Sequence, residues 1–184
     1  MQLSTERGDL TLRAAQTDEW QAYRRLRLMA LQQHPSFFGS DYAQNAAEPD
    51  RYWQERMANL DPTKQQTFVA VHESQFVAMV GIRRFTDPKS SHQADIWGVY
   101  TDPNWRGNGL SRQLLGMAEA WAWQQSVQII RLAVNVANTS AIQLYTRCGY
   151  AVYGVEPMAI YYEGIYHDEL LMTKKNIQHR TDLD

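Results

Sequence analysis

The stretch that decides the fold is WRGNGLSRQLL, Trp105 to Leu115. Arg106 stands directly before Gly107 and Gly109, and an apolar helical stripe of Leu110, Leu114, Met117 or Ala118, and Trp121 begins at once. Glycine weakens a helix start because it loses more backbone freedom on ordering than other residues, so its presence there needs a compensating role. A helix N-terminus supplies one. Its first N–H groups have no partner inside the helix, their aligned dipoles add partial positive charge, and together they attract anions. Gly107 and Gly109 remove side chains that would hold a phosphate off the backbone, and Arg106 adds a planar charged fork. The stretch reads as a cradle for a phosphate or pyrophosphate between the predicted strand ADIWGVYT, residues 94–101, and the predicted helix.

Composition bounds what such a cradle can serve. The chain has 184 residues, enough for a core without disulfide staples. Apolar residues make up 44% and charged residues 21%, an ordinary globular balance. With a net charge of −2 and scattered basic residues, nucleic acid is not an expected partner. Cys148 is the one cysteine and the five histidines lack HExxH spacing, so neither an intrachain disulfide nor a metal site is expected. The opening MQLSTERGDL has no apolar signal segment, and no apolar run approaches the ~18 residues of a membrane span. The expectation is a cytoplasmic, metal-free protein with no membrane partner. No linker or repeat divides it, which predicts one domain over residues 1–175 and a polar, flexible tail over 176–184.

Periodicity orders the elements. Gly8–Arg13 alternates as a short edge strand, and Thr17 is placed to cap a helix carrying Trp20, Tyr23, Leu26 and Ala30, which Pro35 and Gly39 end. A loop rich in aromatics, HPSFFGSDY, leads to a second helix after Pro49 with Trp53, Met57 and Leu60 on one face. TFVAVHESQFVAMVGIRRF reads as a hairpin, and Gly98 within ADIWGVYT marks a bulge or a close approach by another backbone. After the cradle helix come the strand QIIRLAVNV, a short helix capped by Asn138 or Thr139, and two strands, YAVYGVE and YYEGIYHDELLMTKK. The sum is a mixed α/β (α+β) domain around one sheet.

Three phosphate cradles compete. A Walker loop would need Gly-Lys-Ser/Thr, which is missing, and a dinucleotide fingerprint would need a third glycine where Arg112 stands. Arg106-Gly107-Asn108-Gly109-Leu110-Ser111 instead resembles the Gln/Arg-x-x-Gly-x-Gly/Ala loop of the GCN5-related N-acetyltransferases (GNAT), with Ser111 in the last place. VYTDPNWRGNG resembles that family's strand-to-loop segment. NVANTSAIQLYTRCGY resembles its second signature, through Asn138, Ala141, Tyr145, Gly149 and Tyr150. DELLMTKK resembles its last strand, so the likeness is strongest from about Ala94 to Lys175. It implies a mixed sheet of about seven strands with four main helices, the splayed fourth and fifth strands forming a cofactor cleft.

The resemblance further implies that acetyl-CoA is bound and its acetyl group moved to an amine. The pyrophosphate would sit on the N–H groups from Gly107 through Asn108, Gly109 and Leu110 to Ser111, beside Arg106. The pantetheine arm would pair with the backbone of Val99 and Thr101, the N–H of Val99 or Tyr100 would polarise the thioester carbonyl, and Asn138 would bind the arm from the other side. Tyr145 matches the tyrosine that faces the sulfur. The family's glutamate base falls on Gln93, which cannot take a proton, so Asp95, on the same strand face, is the first candidate, followed by His92, Glu163, His167 or a chain of waters. Cys148 falls on an apolar stripe and is read as packing rather than as a nucleophile. Trp20, Trp53 and Trp121 are read as core, while Trp97 and Trp105 flank the groove.

The acceptor pocket implied by the fold would use PSFFGSDY and IYYEGIYHDE. Phe37, Phe38, Tyr42, Tyr161, Tyr162 and Tyr166 would line it, and Glu163 and Asp168 would draw a small-molecule or peptide amine by cation–π and charge pairing. Cross-strand aromatic pairing explains the same hairpin residues without a pocket. The rival function is a catalytically silent acyl-CoA-binding sensor or scaffold. The family likeness also implies a homodimer through edge strands, with no particular residues indicated.

Overall fold

The structure is a computed structural model and describes residues 1–176. Of the expected tail, residues 177–184 lie outside the described residues. Eight strands form one sheet: β1 (Gln2–Thr5), β2 (Gly8–Ala14), β3 (Gln65–His72), β4 (Gln75–Arg84), β5 (Gln93–Thr101), β6 (Ile129–Asn135), β7 (Ala151–Tyr162) and β8 (Ile165–Lys175). Their order is β1-β2-β3-β4-β5-β6-β8-β7, and β5–β6 is the parallel pair in an otherwise antiparallel sheet. Five helices cover it: α1 (Trp20–Gln33), α2 (Tyr42–Ala47), α3 (Asp50–Ala58), α4 (Leu110–Gln124) and α5 (Thr139–Arg147). Among the described residues no helix is long and apolar enough to cross a membrane.

The mixed architecture agrees with the expectation, with one more strand and one more helix. β1 escapes periodicity because it is four residues long and gains its order by pairing with β2, Gln2 against Thr11 through Thr5 against Gly8, so β1 takes the sheet edge expected of Gly8–Arg13 and β2 is paired on both sides. The additional helix, α2, sits in a segment read as loop; Asp41 starts it by accepting from the Gln44 N–H at 2.8 Å. Thr17 does not cap α1. Glu19 holds the cap position, and its carboxylate binds the Gln16 N–H at 2.7 Å and Arg13 Nη1 at 2.8 Å. The last hairpin turns at Glu163–Gly164, both at positive φ, so Tyr161 and Tyr162 belong to β7 rather than to the final strand.

Two apolar layers sandwich the sheet. On one face Leu110, Leu114, Leu115, Ala118 and Trp121 of α4 pack on Phe68, Ala70, Val80, Ile82 and Ile96. On the other, Tyr23, Leu26 and Ala30 of α1 and Trp53 and Met57 of α3 pack on Val69, Met79 and Tyr100. Trp53 is 0% exposed, and burying a side chain of that size contributes about 3 kcal/mol. With both faces covered, the sheet can open only along a seam between strands.

That seam lies between β5 and β6. They pair at Gln93–Ile129, Ala94–Ile130 and Asp95–Arg131 and then part. On the other side of β5, Met79 faces Tyr100 while Gly81 faces Trp97, so Gly98 and Val99 together oppose Val80. This is the bulge expected at Gly98. Its φ of +63° is a conformation that glycine adopts without the penalty of a Cβ.

Candidate active site

The opened seam is a cleft of about 410 Å³. Ile96 to Thr101 of β5 form one wall, Leu132 to Val134 of β6 the other; α5 adds Leu144 and Tyr145, and Phe37 and Phe38 roof it. The roof is tied down by Asn135, 1% exposed on β6, whose Nδ2 donates to Ser36 O at 2.8 Å.

At one end stands the cradle. Gly109, at φ +70°, caps α4 through no side-chain hydrogen bond, and the first turn carries no acidic residue. The helix therefore presents unpaired N–H groups with nothing negative beside them. Gly107 has φ +86°, and a Cβ there would meet nothing within 4 Å: it would occupy open space in front of the amides. Arg106 is held in place. Its Nε donates to Thr101 O at 3.2 Å and its Nη2 lies 3.0 Å from His34 Nε2. Burial and the Arg106 charge lower the His34 pKa, which keeps the imidazole neutral and able to accept. Ser111 Oγ and Thr101 Oγ1 are 2.9 Å apart. Asn108 Nδ2 donates to Trp105 O at 3.1 Å, fixing the loop with its side chain and leaving only its backbone for a ligand. Donors, open space and charge all fit a diphosphate.

Toward the middle, Tyr145 lines the cleft at 6% exposure. Burial, and after it Cys148, pushes its phenol well above the usual range, so it stays a protonated donor. Asn138 caps α5 with Oδ1, accepting from Ala141 N–H at 3.2 Å and Ser140 Oγ at 3.1 Å, and lines the cleft as well. The Tyr100 side chain leaves for α1, where its hydroxyl donates to Gln33 Oε1 at 2.9 Å; burial, then Asp102, pushes that phenol up to about 12. Tyr100 thus offers the cleft mainly its backbone.

Several expected site residues stand elsewhere. Asp95 does not line the cleft. It sits where β5 and β6 are still paired, 3.1 Å from Arg131 and 3.7 Å from Arg83, because period-two alternation that clears the α4 face delivers it to two guanidinium groups. Gln93 and His92 lie at or before that closed end, their side chains 3.3 Å apart. Glu163 is an exposed turn residue and lines no described cavity. Tyr161 is 63% exposed and packs against Tyr166 with the rings tilted, 4.8 Å between centroids, the cross-strand pairing weighed above. With Tyr42 and Tyr162 it edges a side hollow of about 180 Å³ rather than the cleft itself, while Phe38 lines both. Asp168 accepts from the Met158 N–H at 2.8 Å, a structural bond, and His167 pairs with Ile160. Trp105 packs on His72 instead of flanking the groove, whereas Trp97 does line it. Burial also raises the Cys148 thiol, the direction opposite to a nucleophile's.

Sequence reasoning missed His34 and Asn135. His34 reads as a helix-end residue and acquires its role only when Arg106, far along the chain, folds against it. Asn135 had a signal: an amide directly after Leu132, Ala133 and Val134 at the end of a largely aliphatic strand.

Comparison with known proteins converges on one group. The sequence model of the acetyltransferase (GNAT) family matches residues 20–150. The L-amino acid N-acetyltransferase AaaT of Escherichia coli (strain K12) is 28% identical over 171 residues, 91% of this chain and 98% of that protein. The GNAT-family acetyltransferase of Streptococcus pneumoniae superposes with a TM-score of 0.79 at 22% identity, covering 91% of this chain and 99% of that one. The phosphinothricin acetyltransferase of Sinorhizobium meliloti, solved in complex with AcCoA, superposes at 0.75 with 15% identity, covering 90% and 88%. An uncapped helix start behind left-handed glycines, a bulge-opened seam and a family match across both agree: this chain belongs to the GNAT acetyltransferase family.

Proposed function

We propose that the chain is an acetyl-CoA-dependent N-acetyltransferase acting on the primary amine of a small molecule, with amino acids first in line because the relative AaaT is an L-amino acid N-acetyltransferase. The observation that carries this reading is that the uncapped α4 N-terminus and the protonated Tyr145 open on the same cleft. Acetyl-CoA supplies an acetyl group already activated as a thioester.

The chain's own residues do the rest. Arg106 and the N–H groups from Gly107 to Ser111 hold the diphosphate by charge-assisted bonds. Val99 and Thr101, without a β6 partner, present strand backbone for an extended arm to pair with. Asn138 can donate from the α5 side through Nδ2, since capping uses only Oδ1. The Val99 or Tyr100 N–H, beside the bulge, would polarise the thioester carbonyl. Tyr145 donates its hydroxyl toward the departing sulfur, and its raised pKa favours hydrogen bonding over full proton loss. The amine attacks directly with both substrates bound. No carboxylate lines the cleft among the described residues, so the amine's proton leaves through water rather than to Asp95.

Thiol release from acetyl-CoA, followed with a panel of amino acids and simple amines, tests the reading. Release that depends on the added amine is the expected result. Calorimetric binding of coenzyme A with no release for any amine would instead identify the silent sensor, and no binding at all would overturn both.

A further inference from the structure

α1 buries one residue that its packing does not explain. Tyr23, Leu26, Ala30 and Leu31 make the apolar stripe that meets the sheet, and Arg27 stands inside that stripe at 7% exposure. A guanidinium stays charged, and a buried charge is strongly disfavoured unless an opposite charge or a full set of hydrogen bonds meets it.

Neither is present. Nη2 donates to Ser40 Oγ at 3.0 Å, and the guanidinium carbon lies 5.3 Å from the centre of the Phe38 ring. Nη1 is buried and has no partner, and among the described residues no carboxylate forms an ion pair with Arg27. The other guanidinium nearby, Arg56, adds repulsion; together with burial, the larger effect, it lowers the Arg27 pKa from its ordinary value.

The free nitrogen faces the active site from behind. Gly98 lines the cleft, and a Cβ built on it would lie 3.6 Å from Nη1, so the guanidinium reaches the bulge although it lines none of the described cavities. Phe38 lines both the cleft and the side hollow, and Ser40 lines the hollow. The diphosphate cradle starts α4, on one face of the sheet, whereas Arg27 lies on α1, on the other. An acceptor must enter from the side that the coenzyme does not fill.

We propose that Arg27 is the receptor for a carboxylate on the acceptor, which makes the substrate class free α-amino acids rather than plain amines; this rests on the N-acetyltransferase reading above. The carboxylate accepts from Nη1 and Nη2 as a planar fork, with the Phe38 ring moving aside to admit it. The amine, one carbon away from the carboxylate, then points past Gly98 toward the opened seam. Arg27 is thus a specificity residue and takes no part in proton transfer.

The test compares the twenty amino acids with their carboxamides, in which charge is removed and shape is kept. The wild type is expected to favour acid over amide in kcat/KM by roughly 10- to 100-fold, the worth of a charge-assisted pair. Arg27→Gln should bring that ratio to within about threefold by loss on the acid alone, with the acetyl-CoA KM unchanged. Should Arg27→Gln fail to fold, by circular dichroism, Arg27→Lys takes its place, with at least a tenfold loss expected on the acids and little on the amides. A wild type indifferent to amidation, or a variant that keeps the preference, overturns the proposal. Calorimetry of the same acids and amides gives a readout that needs no transfer: acid binding that disappears in Arg27→Gln upholds the receptor even if no amine is ever acetylated, and equal binding of acid and amide sinks it even in an active enzyme.

Discussion

The two ends of β5 belong to one strand and do opposite things. From Gln93 to Asp95 it is paired on both sides, and its charge is matched by Arg131 and Arg83. From Trp97 to Thr101 it has no partner on the β6 side. The difference shows what the cleft is: a failure of backbone pairing set by a bulge, rather than a void left by small side chains. Main-chain polar groups freed in that way must be satisfied by solvent or by a ligand, so the open end is poised to bind while the closed end is already satisfied.

Gly98→Val attacks the open end most directly. A β-branched residue at φ +63° carries strain of about 1–3 kcal/mol, while its Cβ would only be in ordinary contact with Arg27 Nη1 at 3.6 Å. The bulge must then relax, and a shift of about 1 Å near the reacting atoms is enough for a loss of about 100-fold in kcat/KM. Steady-state kinetics beside circular dichroism would check this; a folded variant with wild-type kcat/KM would show that the seam opens without the bulge.

Tyr145→Phe should have a smaller effect of a different kind. Losing one donor to a departing sulfur lowers kcat by roughly 30-fold and leaves the acetyl-CoA KM nearly unchanged, because the ring packing against Tyr150 survives. The pH profile sharpens the point. Because the folded-state pKa of Tyr145 is raised, its donor is retained as pH rises through the ordinary phenol value of about 10, and wild-type kcat should stay flat there. Stability behaves oppositely. The unfolded chain loses that proton first, so the contribution present below about pH 10 fades as pH climbs toward the folded value, and the melting temperature should fall while kcat does not.

The same contrast separates what was legible in the sequence from what was not. The backbone of the cradle was legible because its parts are contiguous: Arg106, two glycines and the helix stripe behind them announce a glycine turn leading into an uncapped helix start. Gly98 was legible because a glycine inside a strand has few other uses. The expected site residues that stand outside the cleft depend on partners distant in sequence. Asp95 could be assigned to a strand face by alternation, but not to Arg131, thirty-six positions away, which neutralises it. Arg27 did leave a trace, a cation inside the stripe of Tyr23, Leu26 and Ala30, but its meaning required the bulge from another part of the chain. β1 and α2 were lost for another reason: four and six residues are too few to show a period.

Asp95→Asn probes the closed end and should have the smallest effect. The substitution keeps shape and removes the charge shared by Arg131 at 3.1 Å and Arg83 at 3.7 Å. Arg131 is also held over the Phe85 ring, 5.0 Å to its centre, so it should not swing away. With Asp95 26% exposed, the pair lies nearer the surface class than the buried one, and about 1 kcal/mol is the expected loss, seen as a melting temperature lower by about 2–4 °C. Since the carboxylate lies outside the cleft, kcat should stay within about twofold. A base removed from the reaction would instead lower kcat by about 100-fold or more and abolish the acid limb of its pH profile. That result would place a proton acceptor at the paired end of β5 and erase the division of labour between the strand's two halves.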